Sequence, residues 1–298
     1  MNASEIWAAL DSVGFRIMRL VLSVLWQSSI LLVAATALHC LLRRRRASAR
    51  CVVWTIAILA APLLPFLNWA ASGLGTPQAP IPAIPAYSAP REAAEPPARH
   101  VEDDMGTPET AAPMEFTAEP VAPLPVEEAE AVSLANCPWA IALLGYATGA
   151  AVFLSIVALG RVRIGRWVRK GIKVADVRVL DAFEEARGSL GLSRGFSLVE
   201  SGAVRTPVTV RAFRPVVLLP KDFAQELTDA ELRTVAIHEL SHVKRHDPLM
   251  LSAVSLVRAV FFFHPLIWLA CRQLSRLSEM ACDDAVLDAT GEPVSYAK

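Results

Sequence analysis

His238-Glu239-Leu240-Ser241-His242-Val243-Lys244-Arg245-His246-Asp247-Pro248 is the stretch on which the reading of this chain turns. Its first residues fit the pattern H-E-x-x-H. Histidines at this spacing stand on one face of a helix, about 6 Å apart along the axis. From there both imidazoles reach one Zn²⁺ at about 2.0–2.1 Å. Glu239 lies beside them, where a carboxylate can take a proton from an activated water. The competing reading is a surface helix that carries two histidines by chance. Thr228 and Glu231 form a capping box at the start of the segment. Leu232, Val235, Ala236 and Leu240 recur at helical spacing. Lys244, Arg245 and His246 lie in the last turn before Pro248, where the helix dipole favours cations and proline marks a stop. These signals predict a helix of about five turns with the motif inside it.

Around the motif the composition is that of a membrane protein. Of 298 residues, 54% are hydrophobic and 19% charged, where an ordinary soluble chain carries about 25% charged. Leu20–Leu42, Cys51–Ala71 and Trp139–Gly160 lack charged residues for long enough to span a bilayer. Buried core helices are the alternative for each. Pro62 and Pro65 predict a kink or an early end in the second run. Arg43, Arg44, Arg45, Arg46 and Arg50 follow the first run, and Arg161, Arg163, Arg166, Arg169, Lys170 and Lys173 follow the third. By the positive-inside rule both clusters face the cytoplasm, which puts the N-terminus and the segment between the second and third runs outside. A cleaved signal peptide would place the arginine run outside and is rejected.

The predicted division is therefore two transmembrane helices with a basic turn over 1–72, an extracytoplasmic loop over 73–136, a third transmembrane helix over 137–160 and a cytoplasmic domain over 161–298. The loop is rich in Pro, Ala and Glu, has no hydrophobic period, and reads as disordered. A ligand-binding role for it is the other reading. The basic clusters are juxtamembrane, where they attract anionic lipid. No groove-reading motif supports nucleic-acid binding. The five cysteines include no C-x-x-C pair and read as small apolar residues.

Before the motif, Ala182–Leu190 reads as a short helix, and Ser197–Val199, Val208–Val210 and Val216–Leu219 read as strands. A sheet edge here would suit an extended peptide bound by strand addition. After the motif, residues 249–271 are apolar except for Arg258 and His264. Pro265 disfavours helical geometry at His264, and Leu249–Phe263 as a helix is about 22 Å long, short of the hydrocarbon core. We expect a helical hairpin that returns to the cytoplasmic side, with a complete fourth span as the alternative. A catalytic zinc takes three protein ligands and keeps one position open. Glu279 is the candidate third ligand, and Asp283 follows it on the same helical face, suited to a hydrogen bond from a ligand histidine. The same spacing also describes a solvated acidic patch that includes Asp284.

The run from His238 to Pro248, then Phe263-His264-Pro265-Leu266-Ile267-Trp268, then Glu279-Met280-Ala281-Cys282-Asp283, resembles the bacterial beta-lactam-sensor antirepressor membrane metallopeptidases. Thr206-Pro207-Val208 and Arg214–Pro220 resemble that family's stretch before the zinc helix. The resemblance implies a mostly α membrane protein: three transmembrane helices and a cytoplasmic α/β zincin-like metallopeptidase domain of the gluzincin type with a helical hairpin. It implies a zinc endopeptidase of the bacterial inner membrane that cuts itself, a cytoplasmic repressor, or both, in signal transduction. Its ligands would be His238, His242 and Glu279, its general base Glu239 and its supporting residue Asp283. Asp247 would orient the end of the zinc helix, while His246 and His264 would be structural. Members that sense beta-lactams carry a C-terminal penicillin-binding domain. Ser295-Tyr296-Ala297-Lys298 matches S-x-x-K without its S-D-N or K-T-G companions and reads as coincidence. Two other readings remain: a signalling receptor with a structural zinc site, and an intramembrane protease. The charged residues adjoining the motif disfavour the second.

Overall fold

The computed structural model describes residues 3–73, 87 and 137–291. The loop expected over 73–136, apart from Gly73 and Tyr87, and the S-x-x-K match at 295–298 lie outside the described residues. Helix α1 (Ala3–Leu41) begins well before Leu20, where the uncharged run starts. Arg16 and Arg19 lie before that run and do not end the helix, because arginine is a good helix former. Helix α2 (Ala47–Ala60) gives way to a 3₁₀ turn at Ala61–Leu63 and resumes as α3 (Leu64–Gly73). Pro62 lacks the N–H that the helical ladder needs, and the predicted break is found there. Helix α4 (Pro138–Lys170) runs past Gly160 into its basic end. Among the described residues, three helical stretches are long and apolar enough to cross a membrane: Glu5–Arg44, Ala47–Leu67 and Pro138–Lys170.

The chain divides into two units, Met1–Met18 with Pro85–Leu143 and Arg19–Ile84 with Leu144–Lys298. In the first, the buried Asp11 accepts hydrogen bonds from the backbone N–H of Trp139 (2.9 Å) and Ala140 (3.0 Å), satisfying donors that open the first turn of α4. Phe15 packs edge-on against Trp139 at 5.2 Å.

The second unit holds a small mixed sheet and its helices. They are β1 (Ile172–Lys173), α5 (Val177–Ser189), β2 (Ser197–Glu200), β3 (Val208–Val210), β4 (Val216–Leu219), α6 (Asp229–Lys244), α7 (Asp247–Val260) and α8 (Pro265–Thr290). At Gly171 the chain leaves α4 for β1, and any Cβ there would collide with the Val199 side chain and lie 2.8 Å from the Glu200 carbonyl oxygen. Strand order is β1-β2-β4-β3, with β2 parallel to β4 and the other pairs antiparallel. Alternation sorts the side chains between two faces. Val217 and Leu219 pack with α5 and α6, whereas Val216, Leu218, Val199 and Val210 pack toward Ile164 and Trp167 of α4. Thr209, between Val208 and Val210, therefore points to the α6 side.

Helix α6 has the predicted cap. Thr228 Oγ1 accepts from Glu231 N (3.3 Å), and Glu231 Oε2 accepts from Thr228 N (2.8 Å). The helix is 16 residues long, slightly shorter than expected. Leu232, Ala236, Ile237, Leu240 and Val243 bury one stripe against the sheet and α5. Thr228→Ala is expected to cost about 1 kcal/mol and to lower the thermal unfolding midpoint by a few degrees, read with the chain in detergent. An unchanged midpoint would mean the cap contributes nothing.

The apolar run 249–271 is broken at Phe261–His264. Asp247, opening α7, meets Ser278 in mid-α8 (2.6 Å), while Arg258 near the end of α7 lies 5.0 Å over the Trp268 ring. Helices α7 and α8 thus form an antiparallel hairpin, and α7, 14 residues long, measures about 21 Å. Val24, Leu32, Trp54, Ile58, Val254, Ile267 and Leu274 join α1, α2, α7 and α8 in one apolar core.

Candidate metal centre

Helix α6 brings His238 and His242 to one side, with ring centroids 5.1 Å apart. Helix α8 lies against α6 and presents Glu279 between them. Glu279 Oε2 is 3.5 Å from His238 Nε2, and Glu279 Oε1 is 3.9 Å from His242 Nε2. One donor atom from each of the three residues lies within 4.8 Å of the other two. Ligands of a tetrahedral ion with bonds of about 2.0–2.1 Å stand roughly 3.4 Å apart. Two imidazoles and a carboxylate at these separations fit a divalent cation of the zinc type, with a position left open.

The outward nitrogens are each met by a carboxylate. His238 Nδ1 lies 3.1 Å from Asp283 Oδ1, and His242 Nδ1 lies 2.8 Å from Asp247 Oδ2. At His242 the contact is a hydrogen bond, which leaves the Nε2 lone pair free for a metal and fixes the ring plane; at His238 it is a close charge contact. The sequence expected Asp283 beside a ligand histidine, and it stands within ion-pair distance of His238; Asp247 was given only a loose place at the helix end. Asp247 reaches His242 because α6 stops at Lys244 and His246 turns the chain through a left-handed conformation (φ 59°). Its Oδ2 also accepts from Ser278 Oγ (2.6 Å) and Arg245 Nε (3.3 Å). Burial opposes the Asp247 charge, but the His242 and Ser278 hydrogen bonds and the Arg245 guanidinium outweigh it and hold this carboxyl below its ordinary range. Asp247→Asn keeps the shape and loses the charge. We expect it to lower metal affinity by about 10–100-fold, read by competition with a chromophoric chelator; unchanged affinity would remove Asp247 from this role.

Glu239 is buried and sits outside the three-residue donor set. Its Oε2 accepts a hydrogen bond from Thr209 Oγ1 at 2.7 Å. Burial pushes its carboxyl up, and the Thr209 hydrogen bond and the neighbouring histidines offset only part of that. A carboxylate shifted this way is closer to the pKa that suits a general base. His238, Glu239, His242, Asp247, Glu279 and Thr209 line an open cavity of about 480 Å³, whose walls also include Arg205, Phe223, Leu227 and Leu251. Strand β3 is an edge strand beside this cavity.

A second group, His242, Asp247 and Cys282, also falls within 4.8 Å. There Asp247 Oδ2 is already hydrogen-bonded, and burial drives the Cys282 thiol well above its ordinary value, against the thiolate a metal requires. The cysteine is nonetheless not the plain apolar filler the sequence suggests: its Sγ lies 3.3 Å from His242 Nδ1. His246 is exposed and His264 is buried against Ser28 Oγ (3.0 Å), both apart from the cluster. Thr209 and Ser278 went unnoticed in the sequence. Strand alternation carries a signal for Thr209, but only once the face covered by α6 is known.

A family profile described as BlaR1 peptidase M56 matches residues 19–298. The chain is 28% identical over 165 residues to the regulatory protein BlaR1 of Bacillus licheniformis, a match covering 55% of this chain and 26% of that protein. It is 26% identical over 87 residues to the methicillin resistance mecR1 protein of Staphylococcus aureus, covering 29% of this chain and 15% of that protein. The matched stretches thus span about a quarter or less of these relatives' lengths.

Proposed function

The chain belongs to the BlaR1-type M56 peptidase family, and from that premise we propose that it is a membrane-bound zinc endopeptidase acting in signal transduction. Its substrate would be a cytoplasmic protein such as a transcriptional repressor, or the chain itself. The observation that carries the reading is the division of labour on α6 and α8. His238, His242 and Glu279 converge, while Glu239 lines the same cavity outside that donor set, bonded to Thr209. A structural zinc site closes with four protein ligands and needs no base; among the described residues this donor set has three.

Zinc held by His238, His242 and Glu279 would polarise the scissile carbonyl and acidify water. Asp283 and Asp247 keep the two rings in the Nε2-binding orientation. Glu239 takes a proton from the attacking water and passes it to the leaving amine. Thr209 aims that carboxylate, and because it sits on β3, the strand that would hold an extended peptide is tied to the base. The proposed cytoplasmic location of the site draws support from two contacts, one at the basic turn between α1 and α2 and one near the start of α2. Arg46 pairs with Asp288 of α8 at 2.8 Å, and Arg245 Nη2 lies 3.2 Å from Cys51 Sγ. The turn and the donor set therefore share one side, and the positive-inside rule assigns that side to the cytoplasm.

New protein N-termini in cells carrying the wild-type chain, compared with cells carrying Glu239→Ala, test the reading. A cleavage that appears only with the wild type identifies the substrate. Identical N-termini under an inducing condition would overturn the endopeptidase assignment.

A further inference from the structure

We propose that the groove between α1, α2 and α8 binds an anionic phospholipid from the leaflet on the side of the metal centre. The groove has a volume of about 430 Å³ and lies apart from the metal centre, with no lining residue in common. Its polarity is graded along the helices. His264, just before α8, meets Ser28 of α1 at 3.0 Å, and further along Arg46 beyond α1 meets Asp288 of α8 at 2.8 Å. The two helices therefore run the same way past the groove. On the first side its walls are Leu32, Val33, Leu266 and Leu269; on the second they are Arg272 and Arg276, with His39 and Gln273 beside them. Val33 and Leu269 are 62% and 58% exposed, as suits side chains that face hydrocarbon.

Charge complementarity selects the occupant. Among the described residues neither Arg272 nor Arg276 forms an ion pair. Both also border an adjoining cleft that Arg258 shares, so its walls carry three guanidinium groups. Planar guanidinium forks match phosphate oxygens in pairs. His39 Nδ1 accepts from Trp54 Nε1 at 3.2 Å, which leaves Nε2 as the donor of the neutral ring. An apolar wall at acyl depth, ending in unpaired arginines at headgroup depth, fits a lipid with a net negative head, where a basic pocket between membrane helices attracts anionic lipid. Arg276 stands one helical turn before Glu279, so the occupant would rest on the helix that carries the third donor.

The test uses the full chain, purified and stripped of lipid in mild detergent. It is titrated with phosphatidylglycerol, with phosphatidylcholine of the same acyl chains, and with soluble glycerol phosphate, and bound molecules are counted by native mass spectrometry. Phosphatidylglycerol should be retained over phosphatidylcholine, and Arg272→Gln/Arg276→Gln should weaken it about 30-fold, from roughly fivefold per arginine. Leu269→Trp, which fills the apolar wall, should lower retention while leaving metal content unchanged. Arg187→Gln/Lys221→Gln, outside both the groove lining and the juxtamembrane basic clusters, should bind as the wild type does. Equal retention of the two lipids, wild-type retention by the double glutamine variant, or glycerol phosphate binding as tightly as the lipid would each overturn the proposal.

Discussion

Glu239→Gln is expected to lower peptide-bond hydrolysis by about 10²–10⁴-fold while the metal content stays at the wild-type level. Glutamine keeps the size of the side chain and an oxygen that can accept the Thr209 hydrogen bond, now 2.7 Å. What it lacks is the basic carboxylate. Because the Glu239 carboxyl lies outside the donor set, the loss should fall on kcat, with KM little changed. The assay needs the cleaved sequence, so substrate identification comes first and a single-turnover rate follows. Cleavage at the wild-type rate would mean that another group carries the proton. Loss of metal together with activity would mean that Glu239 supports the metal site itself.

His238→Ala and His242→Ala are the second pair of variants with large expected effects. Each removes one of three donors, and the loss of metal affinity should exceed the 10–100-fold typical of a supporting residue by a wide margin, on the scale of about 10³ or more. Zinc supplied at about 1,000 times its Kd should stabilise the wild-type chain by roughly 4 kcal/mol, and this zinc-dependent rise in the unfolding midpoint should vanish in both variants. Without zinc the two should differ. His242→Ala also strips a hydrogen bond from Asp247, a carboxylate only 2% exposed, so it should be the less stable. His238 faces Asp283, whose side chain is 49% exposed and can turn to water. Equal midpoints would mean that the Asp247 network does not depend on His242.

Local chemistry made much of this legible in the sequence. The capping box of Thr228 and Glu231, the strands at 197–200, 208–210 and 216–219, and the turn before Pro265 each rest on neighbours in the chain. Glu279 and Asp283 could be placed because an interval of four fixes a helical face. Other features depend on tertiary contact. Helix α5 starts at Val177, earlier than the Ala182 expected, because Asp176 caps it through Arg178 N (2.9 Å) and Val179 and Phe183 are buried against the sheet. Two valines in a first turn argue locally for a strand; burial decides otherwise. The role of Asp247 required knowing that His246 reverses the chain, a left-handed residue that no glycine announced. The two-residue strand β1 exists only because β2 is there to pair with it.

X-ray absorption at the zinc edge of the purified full chain tests the central claim most directly. The account predicts one ion per chain, bound by two imidazoles and oxygen donors at about 2.0–2.1 Å, with no sulfur shell. A sulfur scatterer at about 2.3 Å would put the metal at His242, Asp247 and Cys282 instead, and would contradict the assignment of His238, His242 and Glu279.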